Sequence, residues 1–124
     1  MKIKTHNDLE VYKLSFKSAV EIFEITKNFP KDERYSLTDQ IRRSSRSVTA
    51  NIGEAFRKRR YEKAFIAKLS DSEGEAAETQ VWLEFSLRCK YIDNDIYDKL
   101  FDKYDHIIAM IVNMIRNPQK WILK

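Results

Sequence analysis

The chain has 124 residues, which is enough for one domain with a substantial core and too few for two such domains. Hydrophobic residues make up 43% of the sequence and charged residues 34%, proportions that are typical of a globular protein and exclude a disordered one. The formal net charge of +4 is modest, and only two glycines and two prolines interrupt the chain, so a few long helices are favoured over a many-stranded fold.

The single cysteine and the lack of long apolar runs limit where the protein is expected to act. Cys89 has no second cysteine with which to form a disulfide or a metal site, so a reducing, cytoplasmic location is expected. No run of about eighteen uncharged apolar residues occurs, and residues 1–7 lack the apolar centre of a signal peptide. We therefore expect a cytoplasmic protein with no membrane partner.

Capping residues and prolines divide the sequence into four helical segments with short links. The predicted helices run from Asn7 or Asp8 to residues 28–30, from Ser36 to Phe56, from about Tyr61 to Tyr91, and from Asn94 or Asp95 to residues 117–118. The Ser36 hydroxyl is expected to cap the second helix. The pattern predicts an all-α fold, an antiparallel, up-and-down four-helix bundle that forms a single domain over residues 1–124.

The first helix carries apolar residues on two opposite sides, whereas a helix at the edge of a monomeric bundle needs only one apolar stripe. One side holds Leu9, Tyr12, Phe16, Ala19, Val20 and Phe23, and the other holds Val11, Leu14, Ile22, Ile25 and Phe29. In the third helix the predicted inner stripe is Phe65, Leu69, Ala76, Leu83 and Leu87, while Trp82, Phe85 and Cys89 face elsewhere.

This additional apolar surface predicts that copies of the chain associate, because in water it would form an unusually large exposed patch. The interface of the expected homo-oligomer is assigned to Val11, Leu14, Ile22, Ile25, Trp82 and Phe85. The alternative is a monomer that covers these faces with its own loops and C-terminal residues, Trp121 and Ile122 included. Periodicity alone does not set the number of subunits.

The positive charge is concentrated in residues 41–63, which hold eight basic residues and two acidic ones, a net charge of +6 that leaves −2 for the rest of the chain. The basic residues are Arg42, Arg43, Arg46, Arg57, Lys58, Arg59, Arg60 and Lys63. Such a local excess in a chain of modest net charge is typical of a binding surface for a polyanion.

On a helical wheel, the arginines of the second helix lie opposite its apolar side. The apolar residues, predicted to face the core, are Leu37, Ile41, Val48, Ile52 and Ala55, and the arginines, within an arc of roughly 100°, are Arg42, Arg43, Arg46 and Arg57. The small residues Ala50 and Gly53 between them would allow a partner to approach closely. Because a guanidinium group pairs with two phosphate oxygens, this face predicts a nucleic-acid or other polyanion site. The alternative is a solvated face whose bases pair with acids of the third and fourth helices.

No motif indicates catalysis, a metal or a cofactor. His6 and His106 stand far apart with no second ligand at metal-binding spacing, and no glycine-rich phosphate loop occurs. The one dense acidic group along a helix comprises Glu73, Glu75 and Glu78. We expect these carboxylates to pair with bases of the second helix or of a neighbouring copy, rather than to bind Mg²⁺ or to act as a general acid or base.

Several short motifs spread over nearly the whole chain occur together. They are Phe29-Pro30 with Glu33, Leu37, Gln40-Ile41-Arg42-Arg43, Ser47-Val48, Asn51-Ile52-Gly53-Glu54, Phe65 with Leu69, and Glu78-Thr79-Gln80. In this combination the chain resembles the family of four-helix-bundle proteins related to the 23S rRNA intervening-sequence proteins. Many members read Asn-Ile-Ala-Glu-Gly at the central motif, whereas Gly53 and Ala55 stand here in exchanged order.

The resemblance implies a four-helix bundle that assembles into a homopentamer around a central channel, with no established enzymatic activity. A similar protein is the accessory factor of the reverse transcriptase of diversity-generating elements and presents a basic surface to nucleic acid and enzyme. Asn51 and Glu54 lie in the matching segment, and we expect them to be structural polar residues that bond to a neighbouring helix.

These features predict a non-catalytic, homo-oligomeric protein without a cofactor, which binds RNA or DNA backbones with little preference for base sequence. The alternative is an interaction scaffold or accessory subunit whose basic face docks an acidic or nucleic-acid-processing protein, such as a reverse transcriptase.

Overall fold

The computed structural model describes residues 3–123, and within this range it contains four α-helices and no strand. The helices are α1 (Glu10–Thr26), α2 (Leu37–Arg57), α3 (Glu62–Arg88) and α4 (Asn94–Arg116). Three short 3-10 turns lie at His6–Asp8, Lys31–Glu33 and Pro118–Lys120. The predicted all-α fold and the predicted four-helix bundle are confirmed. None of the helices in this range is both long and apolar enough to cross a membrane.

The start of α2 differs from the prediction in its cap. The helix begins at Leu37, but the Ser36 hydroxyl does not cap it and donates instead to Glu33 Oε1 at 2.6 Å. The same carboxylate oxygen accepts from the Leu37 backbone nitrogen at 3.3 Å, and Glu33 Oε2 accepts from the Tyr91 hydroxyl at 2.8 Å. The hydrogen bond from Ser36, followed by the one from Tyr91, lowers the pKa of Glu33. Glu33 therefore ties the start of α2 to the link between α3 and α4.

Two other helix starts also differ by a few residues from the predicted caps. Thr5 caps the first 3-10 turn in a reciprocal arrangement with Asp8, so α1 itself begins only at Glu10. The fourth helix is capped by Asp93, whose side chain accepts from the Ile96 backbone nitrogen at 2.8 Å.

The helices pack around one core in which α1 and α3 occupy opposite corners, because α2 contacts both of them and α4 contacts both of them. The predicted core side of α2 is confirmed, since Leu37, Ile41, Val48, Ile52 and Ala55 are all buried. In α3 the predicted inner residues Phe65, Leu69, Ala76 and Leu83 are buried, and Leu87 is half-buried.

In α1 the prediction for Val11 and Ile22 is wrong, because both side chains are buried within the single chain and are not available to another copy. Leu14 and Ile25 are half-buried and pack against the same core. On the opposite side Phe16 is 52% exposed and Val20 is 48% exposed, whereas Leu9 is buried and Tyr12, Ala19 and Phe23 are half-buried.

Two buried serines explain this reversal in α1. Ser15 and Ser18 lie on the core side, fully buried, and their hydroxyls donate to the backbone oxygens of Tyr12 at 3.0 Å and Leu14 at 2.8 Å. Because each hydroxyl is satisfied within its own helix, its burial costs little. Small serines also allow α1 to approach its neighbours closely, while Phe16 on the other side of the helix faces outwards.

Hydroxyl groups also set the contacts that orient α2. Ser44 Oγ lies 2.8 Å from Thr79 Oγ1 of α3, and Ser72 Oγ of α3 donates to the Val48 backbone oxygen at 2.7 Å. On the other side, Thr49 Oγ1 donates to Ser15 Oγ of α1 at 3.0 Å. These buried bonds fix the rotation of α2 about its axis and so decide which neighbour each of its arginines meets.

Candidate functional site

The arginines of α2 do not form one free surface, because the packing directs them towards different neighbours. Arg42 and Arg46 lie beside α1, Arg43 lies beside α3, and Arg57 stands at the end of the helix. The arginines therefore differ in the atoms that they contact.

Arg42 is half-buried and bonded to the end of α1. Its Nε donates to Thr26 Oγ1 at 2.8 Å, its Nη2 donates to the Phe23 backbone oxygen at 3.4 Å, and its guanidinium carbon lies 4.7 Å from the centre of the Phe23 ring. A cation is favourable at the C-terminal end of a helix, where the carbonyl groups carry partial negative charge. The guanidinium group of Arg42 thus joins α2 to α1.

Arg43, which was predicted to bind nucleic acid, is paired with two carboxylates of α3. Its Nη1 lies 3.4 Å from Glu75 Oε2, and its Nη2 contacts Glu78. The hydrogen bond to Glu75 is the largest cause of the raised pKa of Arg43. Glu78 also accepts from Trp82 Nε1 at 3.3 Å. Pairing of the acidic group with a base of α2 is therefore confirmed for Glu75 and Glu78.

Glu54 and Asn51, expected to be structural, both lie on α2. Glu54 Oε2 is 3.2 Å from Lys68 Nζ of α3, which agrees with the expected bond to a neighbouring helix. Asn51 is half-buried. Within residues 3–123, no group of three or more histidine, cysteine, aspartate or glutamate side chains is arranged to hold a metal ion.

Between α1 and α2 runs an apolar groove of about 720 Å³, which we call the α1–α2 groove. Its lining includes Tyr12, Phe16, Ala19, Val20, Phe23, Arg46, Ala50, Gly53 and Arg57. The small residues Ala50 and Gly53, singled out in the sequence as a strip for close approach, belong to this groove. Their surroundings are mostly aromatic and aliphatic, and the charged residues of the lining are Arg46, Glu54 and Arg57. The sequence did not reveal the apolar character of this strip.

Four exposed bases follow one another where α2 ends and α3 begins, and we call them the turn cluster: Arg57, Lys58, Arg60 and Lys63. None of the ion pairs found in residues 3–123 includes any of these four side chains. The cluster therefore presents positive charge that the described part of the chain does not neutralise.

Arg59 lies within the same segment but is bonded to its own helix end. Its guanidinium carbon is 3.7 Å from the centre of the Phe56 ring, and its Nε donates to the Phe56 backbone oxygen at 2.9 Å. Burial, followed by the neighbouring charge of Arg57, lowers the pKa of Arg59. Its backbone oxygen accepts from the Leu123 nitrogen at 3.0 Å, so the C-terminal segment lies against this turn.

Of the two α3 residues assigned to an interface, Trp82 is half-buried and Phe85 is 52% exposed. The Phe85 side chain is therefore a large apolar group on the surface of the single chain, as its assignment to an interface requires. The Trp82 ring lies beside it, tilted, with ring centres 5.8 Å apart, and packs against the core.

Comparison with known proteins gives a family and a related structure. A sequence model of the family described as 23S rRNA-intervening sequence protein matches residues 7–113. Among solved structures, the chain is similar to the crystal structure of a protein of unknown function from the S23 ribosomal protein family of Bacteroides thetaiotaomicron VPI-5482. The two are 31% identical, the match covers 86% of this chain and 95% of that chain, and the TM-score is 0.78. No curated protein matches the chain.

Proposed function

The chain belongs to the family of 23S rRNA-intervening sequence proteins, as its motifs predicted, and from this premise we propose that it is a non-catalytic, homo-oligomeric protein that binds RNA or DNA backbones through the turn cluster. The descriptions of the matching family and of the similar structure name no catalytic activity. The proposed site is narrower than the predicted set of eight basic residues, because four of the eight make contacts within the chain: Arg42, Arg43, Arg46 and Arg59.

The observation that carries the proposal is the turn cluster itself. Four exposed cations lie within seven residues of chain, and none of the carboxylates in the described range forms an ion pair with them. Phosphate groups are the natural partners of such a cluster, because each phosphate that a cation neutralises releases condensed counterions into solution. Contacts of this kind do not read bases, so the proposal includes little sequence preference.

The test measures how binding depends on salt. A labelled single-stranded RNA of mixed sequence and a DNA duplex are titrated with the protein by fluorescence anisotropy between 50 and 200 mM KCl. Replacing Lys58, Arg60 and Lys63 by Gln is expected to reduce the slope of log K against log salt by about 2 for the single strand and by about 2.7 for the duplex, if each base neutralises one phosphate.

A matched control variant loses three positive charges at exposed positions outside the turn cluster. Lys17, Lys31 and Lys99 are exposed and belong to no ion pair among the described residues, and replacing them by Gln should leave the slope nearly unchanged. An unchanged slope in the turn-cluster variant, or an equal decrease in the control, would contradict the proposal. Binding of an acidic protein that competes with neither nucleic acid would favour the scaffold alternative.

A further inference from the structure

A cavity lies between the start of α1, the end of α4 and the segment that carries Trp121, and we call it the α1–α4 pocket. Its volume is about 360 Å³, towards the lower end of the range of roughly 300–1,000 Å³ that is usual for small-ligand sites. Most of its lining is apolar: Ile3, Leu9, Val11, Met110, Met114 and Trp121. It shares none of its described lining residues with the α1–α2 groove, so the two are separate sites.

The pocket is joined to the turn cluster through the backbone. The Leu123 nitrogen donates to the Arg59 backbone oxygen at 3.0 Å, and Lys58 and Arg60 flank Arg59 in the sequence. Trp121 comes only two residues before Leu123, a distance of at most about 7 Å along the chain. A strand whose phosphates contact these two bases of the turn cluster therefore passes close to the indole ring.

The charged groups of the pocket accept hydrogen bonds. Among the described residues that line it, none is basic and two are acidic, Asp8 and Glu10. The Asp8 carboxylate is occupied, since its Oδ2 accepts from the backbone nitrogens of Lys4 at 2.9 Å and Thr5 at 3.1 Å. The Glu10 carboxylate is exposed, and its one ion pair in the described range is with Lys13 Nζ at 3.5 Å. These acids repel a phosphate group, whereas an N–H group finds an acceptor at Glu10.

Asn113 adds one donor to these acceptors. Its Oδ1 accepts from Asn117 Nδ2 at 3.1 Å, which orients the Asn113 amide. Its Nδ2 takes part in none of the hydrogen bonds found in the described range, so this atom is available to a ligand. The pocket thus combines an aromatic ring, one available carboxylate and one available amide donor.

We propose that the α1–α4 pocket takes one unpaired guanine of a single-stranded nucleic acid. The base lies against Trp121, the Glu10 carboxylate accepts from the N1–H and N2–H groups, and Asn113 Nδ2 donates to O6. Guanine is the standard base whose pairing edge presents two adjacent N–H donors beside one acceptor, and a carboxylate can accept both of these donors. Stacking on the indole ring adds binding that does not depend on the identity of the base.

This inference rests on the proposed function, because the turn cluster holds the phosphates and the pocket reads one base beside them. It makes a single strand the preferred ligand, since the pairing edge of guanine is not accessible in a duplex. At the other positions of the strand, backbone contacts leave the sequence free.

The test compares three oligouridine RNAs of ten nucleotides, which carry one guanine, one inosine or no purine near the centre. By fluorescence anisotropy, the wild type should bind the guanine strand at least about fivefold more tightly than the all-uridine strand, because the pocket accepts both donors and the larger base stacks over more of the ring. Inosine lacks the N2 amino group, and its strand should bind about threefold less tightly than the guanine strand because one hydrogen bond is lost.

Trp121→Leu keeps an apolar side chain and removes the aromatic ring. The affinity of this variant for the guanine strand should fall to within about twofold of that for the all-uridine strand, with the salt slope unchanged. Trp121→Phe retains a ring and should recover part of the preference. The matched control is Leu123→Ala in the same segment, where the side chain is 51% exposed and does not line the pocket, and it should keep the wild-type preference. Circular dichroism checks that each variant is folded.

Glu10→Gln replaces one acceptor oxygen by an N–H donor at an exposed position, so this variant does not depend on the core. It should bind the guanine and inosine strands with equal affinity. The matched control is Glu24→Gln, because Glu24 pairs with Lys27 three residues further on as Glu10 pairs with Lys13. This control should keep the threefold difference between the two strands.

Free GMP separates a site for a base within a strand from a site for a free nucleotide. It should compete only weakly with the guanine strand, because it lacks the further phosphates that contact the turn cluster. GMP that binds as tightly as the strand would overturn the proposal. So would equal affinity of the wild type for the three strands, a preference that survives both Trp121→Leu and Glu10→Gln, or an equal loss in the two controls.

This inference and the proposed function fail separately. Equal binding of the three strands, with a salt slope that still decreases in the Lys58, Arg60 and Lys63 variant, removes the pocket and keeps the turn cluster. A guanine preference that is lost in Trp121→Leu, with a salt slope that ignores those three bases, keeps the pocket and removes the turn cluster as the phosphate site.

Discussion

The first half of α2 and its end differ in what their arginines contact, although the residue type is the same. Arg42 and Arg43 are bonded to atoms of α1 and α3, whereas Arg57, with the bases that follow it, has no carboxylate partner among the described residues. The difference comes from the neighbours, because the end of α1 contacts Arg42, and Glu75 and Glu78 of α3 contact Arg43. A run of basic residues in a sequence is therefore not one functional unit.

The largest effect in this comparison is expected for Arg42→Met, which removes two hydrogen bonds and a contact with the Phe23 ring. Hydrogen bonds from charged groups and cation–π contacts at a partly buried site should lower the free energy of unfolding by about 2 kcal/mol. Urea denaturation at fixed protein concentration measures this change. The salt dependence of RNA binding should stay as in the wild type, and a reduced salt slope at unchanged stability would place Arg42 in the binding surface.

Periodicity predicted the packing of α2 but not that of α1. The second helix has one continuous apolar side, and its five predicted core residues are buried. The first helix has two apolar sides, and the choice between them depends on Ser15 and Ser18, which count as polar on a helical wheel. Their hydroxyls are satisfied within α1 itself, a property that composition does not show. The apolar pattern therefore could not predict which side of α1 faces the core.

The candidate site was predictable as a segment and not as a set of contacts. The charge concentration in residues 41–63 drew attention to the segment that contains the turn cluster, whose four bases are exposed. The partners of Arg43, however, are 32 and 35 positions away in the sequence, and they meet it in the register of α2 against α3 that also brings Ser44 to Thr79. A wheel drawn for one helix contains no information on that register.

A smaller effect is expected for Arg43→Met, which leaves Glu75 and Glu78 unpaired at a site where the Arg43 side chain is 45% exposed. Ion pairs near the surface contribute modestly, so the free energy of unfolding should decrease by about 0.5–1 kcal/mol. Because salt screens such pairs, the difference from the wild type should shrink in 1 M NaCl. A double-mutant cycle with Glu78→Gln isolates the pair. A loss that persists in high salt would point to packing by the arginine stem instead.

The smallest effect on stability is expected for the triple variant Lys58→Gln, Arg60→Gln and Lys63→Gln in the turn cluster. These three side chains are exposed, and none of the ion pairs in the described range includes them. Surface substitutions of this kind should change the free energy of unfolding by less than about 0.5 kcal/mol, and the relief of repulsion among neighbouring cations opposes any loss. Urea denaturation of the variant and the wild type at 50 and 500 mM NaCl measures the change in the free energy of unfolding and its dependence on salt. Its stability relative to the wild type should be highest at the lower salt, because screening weakens the repulsion that the substitutions remove. Marked destabilisation at either salt concentration would mean that these bases hold the fold, as Arg42 does, and the contrast between the two parts of α2 would disappear.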